Sequence, residues 1–114
     1  MSRETSKIKA GLWVQAQIRV CDLNFIPIMV RHKGDPDSGA ILLKIDRGEA
    51  GCCVLSQVRD LDGKPGWMYG GGAELIDDSE AESYIKRQTE RDPDLWVVEI
   101  EDQKGHYELD GDIV

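Results

Sequence analysis

Cysteine is scarce in this chain, and no two cysteines have the spacing of a metal knuckle. Only Cys21, Cys52 and Cys53 carry thiols. An odd count without a C-x-x-C pattern excludes a secreted-type disulfide framework and leaves a structural zinc without ligands. The two histidines, His32 and His106, are far apart in sequence and supply none. The thiols read instead as small apolar side chains in a reducing compartment. Long apolar runs are missing too, so no membrane-spanning helix is expected. The opening Met1–Lys7 stretch is polar and lacks the apolar region of a secretory leader. Together these absences lead us to expect a cytoplasmic protein with no membrane partner.

An excess of positive charge is also lacking. The net charge is −8, and it is unevenly spread. Residues 1–73 hold 10 Lys+Arg against 8 Asp+Glu, a net of +2. Residues 74–114 hold 4 against 14, a net of −10. An acidic C-terminal third disfavours nucleic acid, whose backbone needs cationic partners. It suits a protein partner, or a second copy, that tolerates or seeks negative charge.

What is present describes one globular domain. A length of 114 residues and 40% hydrophobic content support a single core. Residues 11–24 alternate as a strand would at Leu12, Val14, Ala16, Ile18 and Val20. They also trace a helical stripe through Trp13, Ala16, Val20 and Leu23, and the segment's length favours a helix. Short apolar runs at Ile26–Lys33, Ala40–Ile45, Gly51–Val58 and Trp67–Tyr69 follow, separated by Gly/Pro/Asp turns. They read as an antiparallel meander. Ser79 and Glu82 fit a capping box for a helix over about Glu80–Arg91, which Pro93 ends. Leu95–Glu101 is apolar on both faces, as an interior strand is. His106–Leu109 offers an edge strand. The expected fold is a single α+β domain, ordered α-β-β-β-(β)-α-β. Its mixed, mainly antiparallel sheet has roughly four to six strands, with room for one helix on each face. Residues 1–10 are expected to be flexible, 11–109 to form the domain, and 110–114 to fray.

Catalytic patterns are incomplete. The element order is shared with restriction-endonuclease-like nucleases, and Pro36-Asp37 has the look of their first metal-binding element. The acid-x-Lys pair that should follow is missing from Ile41-Leu42-Leu43-Lys44 and from Gln57-Val58-Arg59. Two-metal chemistry therefore has no second carboxylate. Gly70-Gly71-Gly72 lacks phosphate-loop order, and Glu74, Asp77 and Asp78 behind it would repel an anion. Ser38, Ser56 and Cys53 have no nearby base. No catalytic residue, metal or cofactor is assigned. The tryptophans Trp13, Trp67 and Trp96 read as core anchors.

Two surface groups remain as candidates. A basic patch of Arg31, Lys33 and Lys44, with loop carboxylates Asp35 and Asp37, could bind a small anionic ligand or serve an unrecognised enzyme. The bland reading of its charges is intramolecular pairing. The acidic residues Glu80, Glu82, Glu90 and Asp92 would line one helix face and meet a basic partner. The preferred reading is a small non-enzymatic interaction or regulatory module.

Three segments carry a resemblance. They are Leu12-Trp-Val-Gln-Ala-Gln-Ile-Arg19, Arg31-His-Lys-Gly-Asp-Pro-Asp-Ser-Gly-Ala-Ile-Leu-Leu-Lys44, and Arg91-Asp-Pro-Asp-Leu-Trp-Val-Val-Glu-Ile-Glu-Asp102. Together the chain resembles a family of small alphaproteobacterial proteins grouped as a domain of unknown function. The resemblance runs from about Leu12 to about Leu109. It implies a bacterial, stand-alone α/β domain and brings no catalytic residue or cofactor with it.

Overall fold

A computed structural model describes residues 9–59 and 61–114. Residues 1–8, most of the segment expected to be flexible, and Asp60 at the head of one expected turn lie outside them. Helix α1 spans Ala10–Leu23 and settles the ambiguous segment as helical. Strands β1 (Ile28–His32), β2 (Ile41–Asp46), β3 (Cys52–Arg59) and β4 (Pro65–Tyr69) follow. Helix α2 (Asp78–Arg91), β5 (Trp96–Glu101) and the short β6 (Asp112–Ile113) complete the chain. Ala10, expected within the flexible start, is the first buried residue of α1. No described helix is long and apolar enough to cross a membrane.

The sheet is mixed, with strand order β1-β5-β2-β3-β4-β6. Hairpins β2–β3 and β3–β4 are antiparallel, as short turns require. The simple meander fails at one place. β5 returns after α2 and inserts between β1 and β2, antiparallel to the first and parallel to the second. Its two apolar faces explain the insertion: Trp96, Val98 and Ile100 join the α1 core, while Leu95 and Val97 join the α2 core. The helices therefore lie on opposite faces, each over its own apolar cluster. Cys52 and Cys53 divide between those clusters, and all three thiols are free and buried.

Three further expectations change. The α2 cap is Asp77, not Ser79. Asp77 accepts from Glu80 N at 2.8 Å, and Glu80 reaches back to Asp77 N, a capping box two residues earlier than read. His106–Leu109 forms no strand; Tyr107 is buried there, its hydroxyl donating to Gln17 Oε1 at 2.6 Å. The tail does not end loose. β6 pairs with β4, and Asp110 accepts from Trp13 Nε1 through its side chain and from Trp67 Nε1 through its carbonyl.

The Gly34–Gly39 loop packs tightly on the start of β5. A Cβ built on Gly34 would fall 2.1 Å from the Asp94 carbonyl oxygen, and Trp96 Nε1 donates to Asp35 O. Asp35 itself holds the turn, accepting from Asp37 N and Ser38 Oγ. Gly34→Ala should lower stability by about 2–3 kcal/mol, because backbone must move to admit a methyl group. The urea midpoint checks this; an unchanged midpoint would show that the loop is not held against β5.

Candidate functional site

Part of the predicted basic patch meets part of the predicted acidic face: Arg31 and Lys44 both pair with Glu82. β2 places Lys44 on the side of the sheet that α2 covers, where its side chain is 4% exposed. A buried ammonium needs counter-charges. Asp78 and Glu82, one helical turn apart on α2, each reach Lys44 Nζ at 2.6 Å. Glu99, its partner on β5, lies at 3.9 Å. Arg31 from β1 grips Glu82 with both terminal nitrogens, at 2.6 and 2.7 Å, and Glu99 at 3.1 Å. Three strands and one helix thus share a network of two cations and three carboxylates.

Its electrostatics follow from that geometry. Hydrogen bonds from Arg31 hold the Glu82 carboxyl down at about 2, against the opposing effect of burial and with help from Lys44. Burial pulls the Lys44 ammonium down, but hydrogen bonds to Asp78 and Glu82 outweigh it and hold the group well above its ordinary value. Hydrogen bonding to Glu82 does the same for Arg31. The Cys52 thiol beside Asp78 is pushed up by burial to about 11, which keeps it protonated and unreactive.

The five candidate ligand residues do not assemble into one site. Arg31 and Lys44 are neutralised by α2. A hollow of about 260 Å³ opens beside Arg31 between β1 and α2, yet the guanidinium on its wall already holds Glu82. Lys33 is exposed. Asp35 serves its own turn, and Asp37 pairs with Lys9 at 3.6 Å across exposed surface. The four candidate partner residues also separate. Glu80 closes the helix cap, Glu82 turns inward, and Asp92 accepts from Asp94 N; Glu90 is exposed. Lys86, Arg87 and Arg91 nearly balance the acids of α2, so the helix surface is not strongly acidic.

The structure also brings forward residues that periodicity did not mark. Asp102 is buried at 4% exposure, accepting from His106 N and Tyr107 N with Arg47 3.4 Å away. His32 is occupied structurally, its Nδ1 donating to the Leu95 carbonyl at 2.6 Å. On α1 the inward face is Ala10, Trp13, Val14, Gln17 and Cys21. The stripe expected to be core is rotated outward: Ala16 is exposed, Val20 is 44% exposed and Leu23 68%, with Leu12 at 60% beside them.

Phe25 is the sharpest of these features. α1 ends in a Schellman arrangement, with Ile26 N donating to Cys21 O at 2.8 Å and Phe25 N to Asp22 O at 3.3 Å. The residue after the cap must then be left-handed, a place glycine usually fills. Here it is Phe25, with φ of 57° and 95% exposure.

Comparisons with known proteins agree with this fold. Residues 8–110 match the family described as Protein of unknown function (DUF1491), and the chain belongs to that family. A crystal structure of a DUF1491 family protein from Caulobacter crescentus CB15 is 33% identical, with a TM-score of 0.83 over 95% of this chain and 100% of that one. An NMR structure of a DUF1491 family protein from the same organism is 32% identical, with a TM-score of 0.81 over 96% and 99%. The solution structure of protein Atu0922 from A. tumefaciens shares the fold at 21% identity, with a TM-score of 0.70 over 84% and 86%. No curated protein matches the chain. The alphaproteobacterial resemblance and the α+β class are thereby established.

Two predictions test the network. Lys44→Met should cost about 1–2 kcal/mol by taking one counter-charge from Glu82 and Glu99, which keep Arg31, and from the exposed Asp78. Combined with Glu82→Gln, the loss should fall short of the sum of the single losses by at least about 0.5 kcal/mol. Additive urea-denaturation costs would show that the pairs act independently. The second concerns acid. Because Glu82 titrates lower folded than unfolded, its contribution is complete above the ordinary carboxylate range and disappears as pH falls toward about 2. Glu82→Gln should therefore flatten the fall in stability between roughly pH 4.5 and 2. Parallel pH profiles for the two proteins would remove Glu82 from the acid response.

Proposed function

We propose that this protein is a small cytoplasmic, non-enzymatic interaction module whose contact face is the outward side of α1, anchored by Phe25. The observation that carries the reading is Phe25 itself. A left-handed conformation costs an L-residue roughly 1–2 kcal/mol relative to glycine. A fully exposed phenyl ring returns nothing to the isolated molecule. A side chain kept at such a place is placed for something outside its own fold. Leu12, Ala16, Val20 and Leu23 extend it into an apolar stripe, the kind of patch that marks a contact surface.

The partner has an apolar patch set in a basic surface. A net charge of −8 steers basic proteins inward and opposes self-pairing. The acidic C-terminal third, where a contact surface was expected on α2, serves this reading as a source of long-range field instead. Three free, buried thiols fit a reducing compartment.

The test exploits the separation of stability from binding. Phe25→Gly relieves the left-handed strain but loosens the unfolded chain. It should leave stability unchanged or raise it by up to about 1 kcal/mol, seen as a Tm increase of up to about 4 °C. The same change should abolish cross-linking from a photoreactive residue at position 23 to a basic cellular protein, while wild type retains it. Undiminished cross-linking by the variant, loss of several degrees in Tm, or a cross-linked homodimer as the sole product would each sink the proposal.

A further inference from the structure

A second concave region shares no lining residue with the ionic network or with the exposed apolar stripe of α1. A cleft of about 500 Å³ opens on the α1 side of the sheet, beyond the first turn of that helix. Trp13, Ala40, Gln57, Arg59, Trp67 and Asp110 are among the residues that line it. Its size lies within the range of small-molecule sites.

The polar groups of the cleft are few and of different kinds. Strand alternation puts Gln57 and Arg59 on the same face as Leu55, two and four residues along β3, so both side chains belong to the α1 side. Gln57 is half-buried, and its amide makes no hydrogen bond to a described residue. A half-buried amide with donor and acceptor both unused is open to a molecule that enters the cleft. Arg59 presents a guanidinium that braces on the Gly63 carbonyl through one nitrogen. Asp110 is fixed from two sides. Trp13 Nε1 donates to its Oδ2 at 3.1 Å, and Trp67 Nε1 donates to its carbonyl at 2.7 Å. The two indoles pack with centroids 5.5 Å apart. One carboxylate oxygen is thereby committed and the other is left as an acceptor.

We infer that this cleft binds a small zwitterion of the amino-acid type with an apolar side chain. Arg59 and the Gln57 amide receive its carboxylate, Asp110 receives its ammonium, and Ala40 with the tryptophan edges takes its apolar body. A carboxylate facing guanidinium and amide donors, and an ammonium facing a carboxylate, form the charge-assisted bonds that fix orientation in such sites. The observations behind this site are independent of Phe25, so either proposal can fail alone.

The three tryptophans make the test internal to one spectrum. The indole N–H groups of Trp13 and Trp67 both end on Asp110, whereas that of Trp96 donates to Asp35 O outside the cleft. The full chain is labelled with ¹⁵N and titrated with L-phenylalanine, 3-phenylpropionate and phenethylamine. L-Phenylalanine should move the Trp13 and Trp67 indole signals saturably and leave Trp96 in place. The two analogues, each lacking one charge, should bind at least about tenfold more weakly. Gln57→Leu breaks no hydrogen bond among the described residues, so it should keep the free-protein indole spectrum and weaken L-phenylalanine about tenfold. Still signals up to millimolar L-phenylalanine overturn the inference. So do equal affinities for the three probes, a Trp96 shift as large as the others, or full affinity in Gln57→Leu.

Discussion

One buried ammonium holds this fold in register. Lys44 stands in the middle of β2, on the α2 face of the sheet beside the apolar Leu42, Val54 and Val97. Left alone there it would be charged in an apolar layer, which no fold tolerates without counter-ions. The counter-ions come from elements distant in sequence: Glu99 on β5, Asp78 and Glu82 on α2, with Arg31 on β1 balancing the surplus acid. The consequences reach beyond that corner. Lys44 and Glu99 are direct partners in the parallel β2–β5 pairing. A one-residue slip of β5 would turn Glu99 into the apolar α1 layer and Val98 out of it. The ion pair therefore selects the register of the strand whose insertion defines the topology. A contribution of this kind is to uniqueness more than to net stability, since apolar side chains of similar volume could fill the same space.

The same demand sets where α2 begins. Two overlapping box patterns stand in the sequence, Asp77-x-x-Glu80 and Ser79-x-x-Glu82, and by local chemistry either could open the helix. Spending Glu82 on a cap would leave Lys44 and Arg31 without their strongest partner. Starting at Asp77 assigns Glu80 to the cap and puts Asp78 and Glu82 on the inner side. Ser79 then only supports the cap, its hydroxyl donating to Asp77 at 3.0 Å.

Local signals carry the type of α2 and of the main strands, but not the coil at His106–Leu109 and not partnership. Periodicity locates α2 and the main strands, because side-chain alternation and the 3.6 repeat are properties of each segment alone; at α1 both periods are present and segment length decides. Apolarity on both sides of Leu95–Ile100 marked an interior strand. It could not say between which neighbours, because insertion beside β1 is decided by contacts across the whole chain. Intramolecular pairing of the Arg31 cluster was one of two readings open to composition, and the choice needed α2 to be placed. Asp110 looked like frayed tail, since nothing local shows that two indole N–H groups from Trp13 and Trp67 will end on it. Phe25 was silent for a different reason. A left-handed position is legible when glycine occupies it, and here the residue type contradicts the backbone.

That contradiction connects with the misread face of α1. Trp13, Ala16, Val20 and Leu23 form a genuine helical stripe, yet the sheet covers the neighbouring arc through Trp13, Val14, Gln17 and Cys21. The inward arc even accommodates a polar pair, Gln17 with Tyr107, while apolar side chains remain outside. A helix that needed only its own sheet would place polar residues at positions 12, 16, 20 and 23 and glycine at 25, and would lose no core contact by doing so. The chain does the opposite at all five positions. Unfavourable solvation at four of them and unfavourable backbone at the fifth point the same way. A surface that costs the isolated fold at each of these points is best understood as fitted to something that covers it.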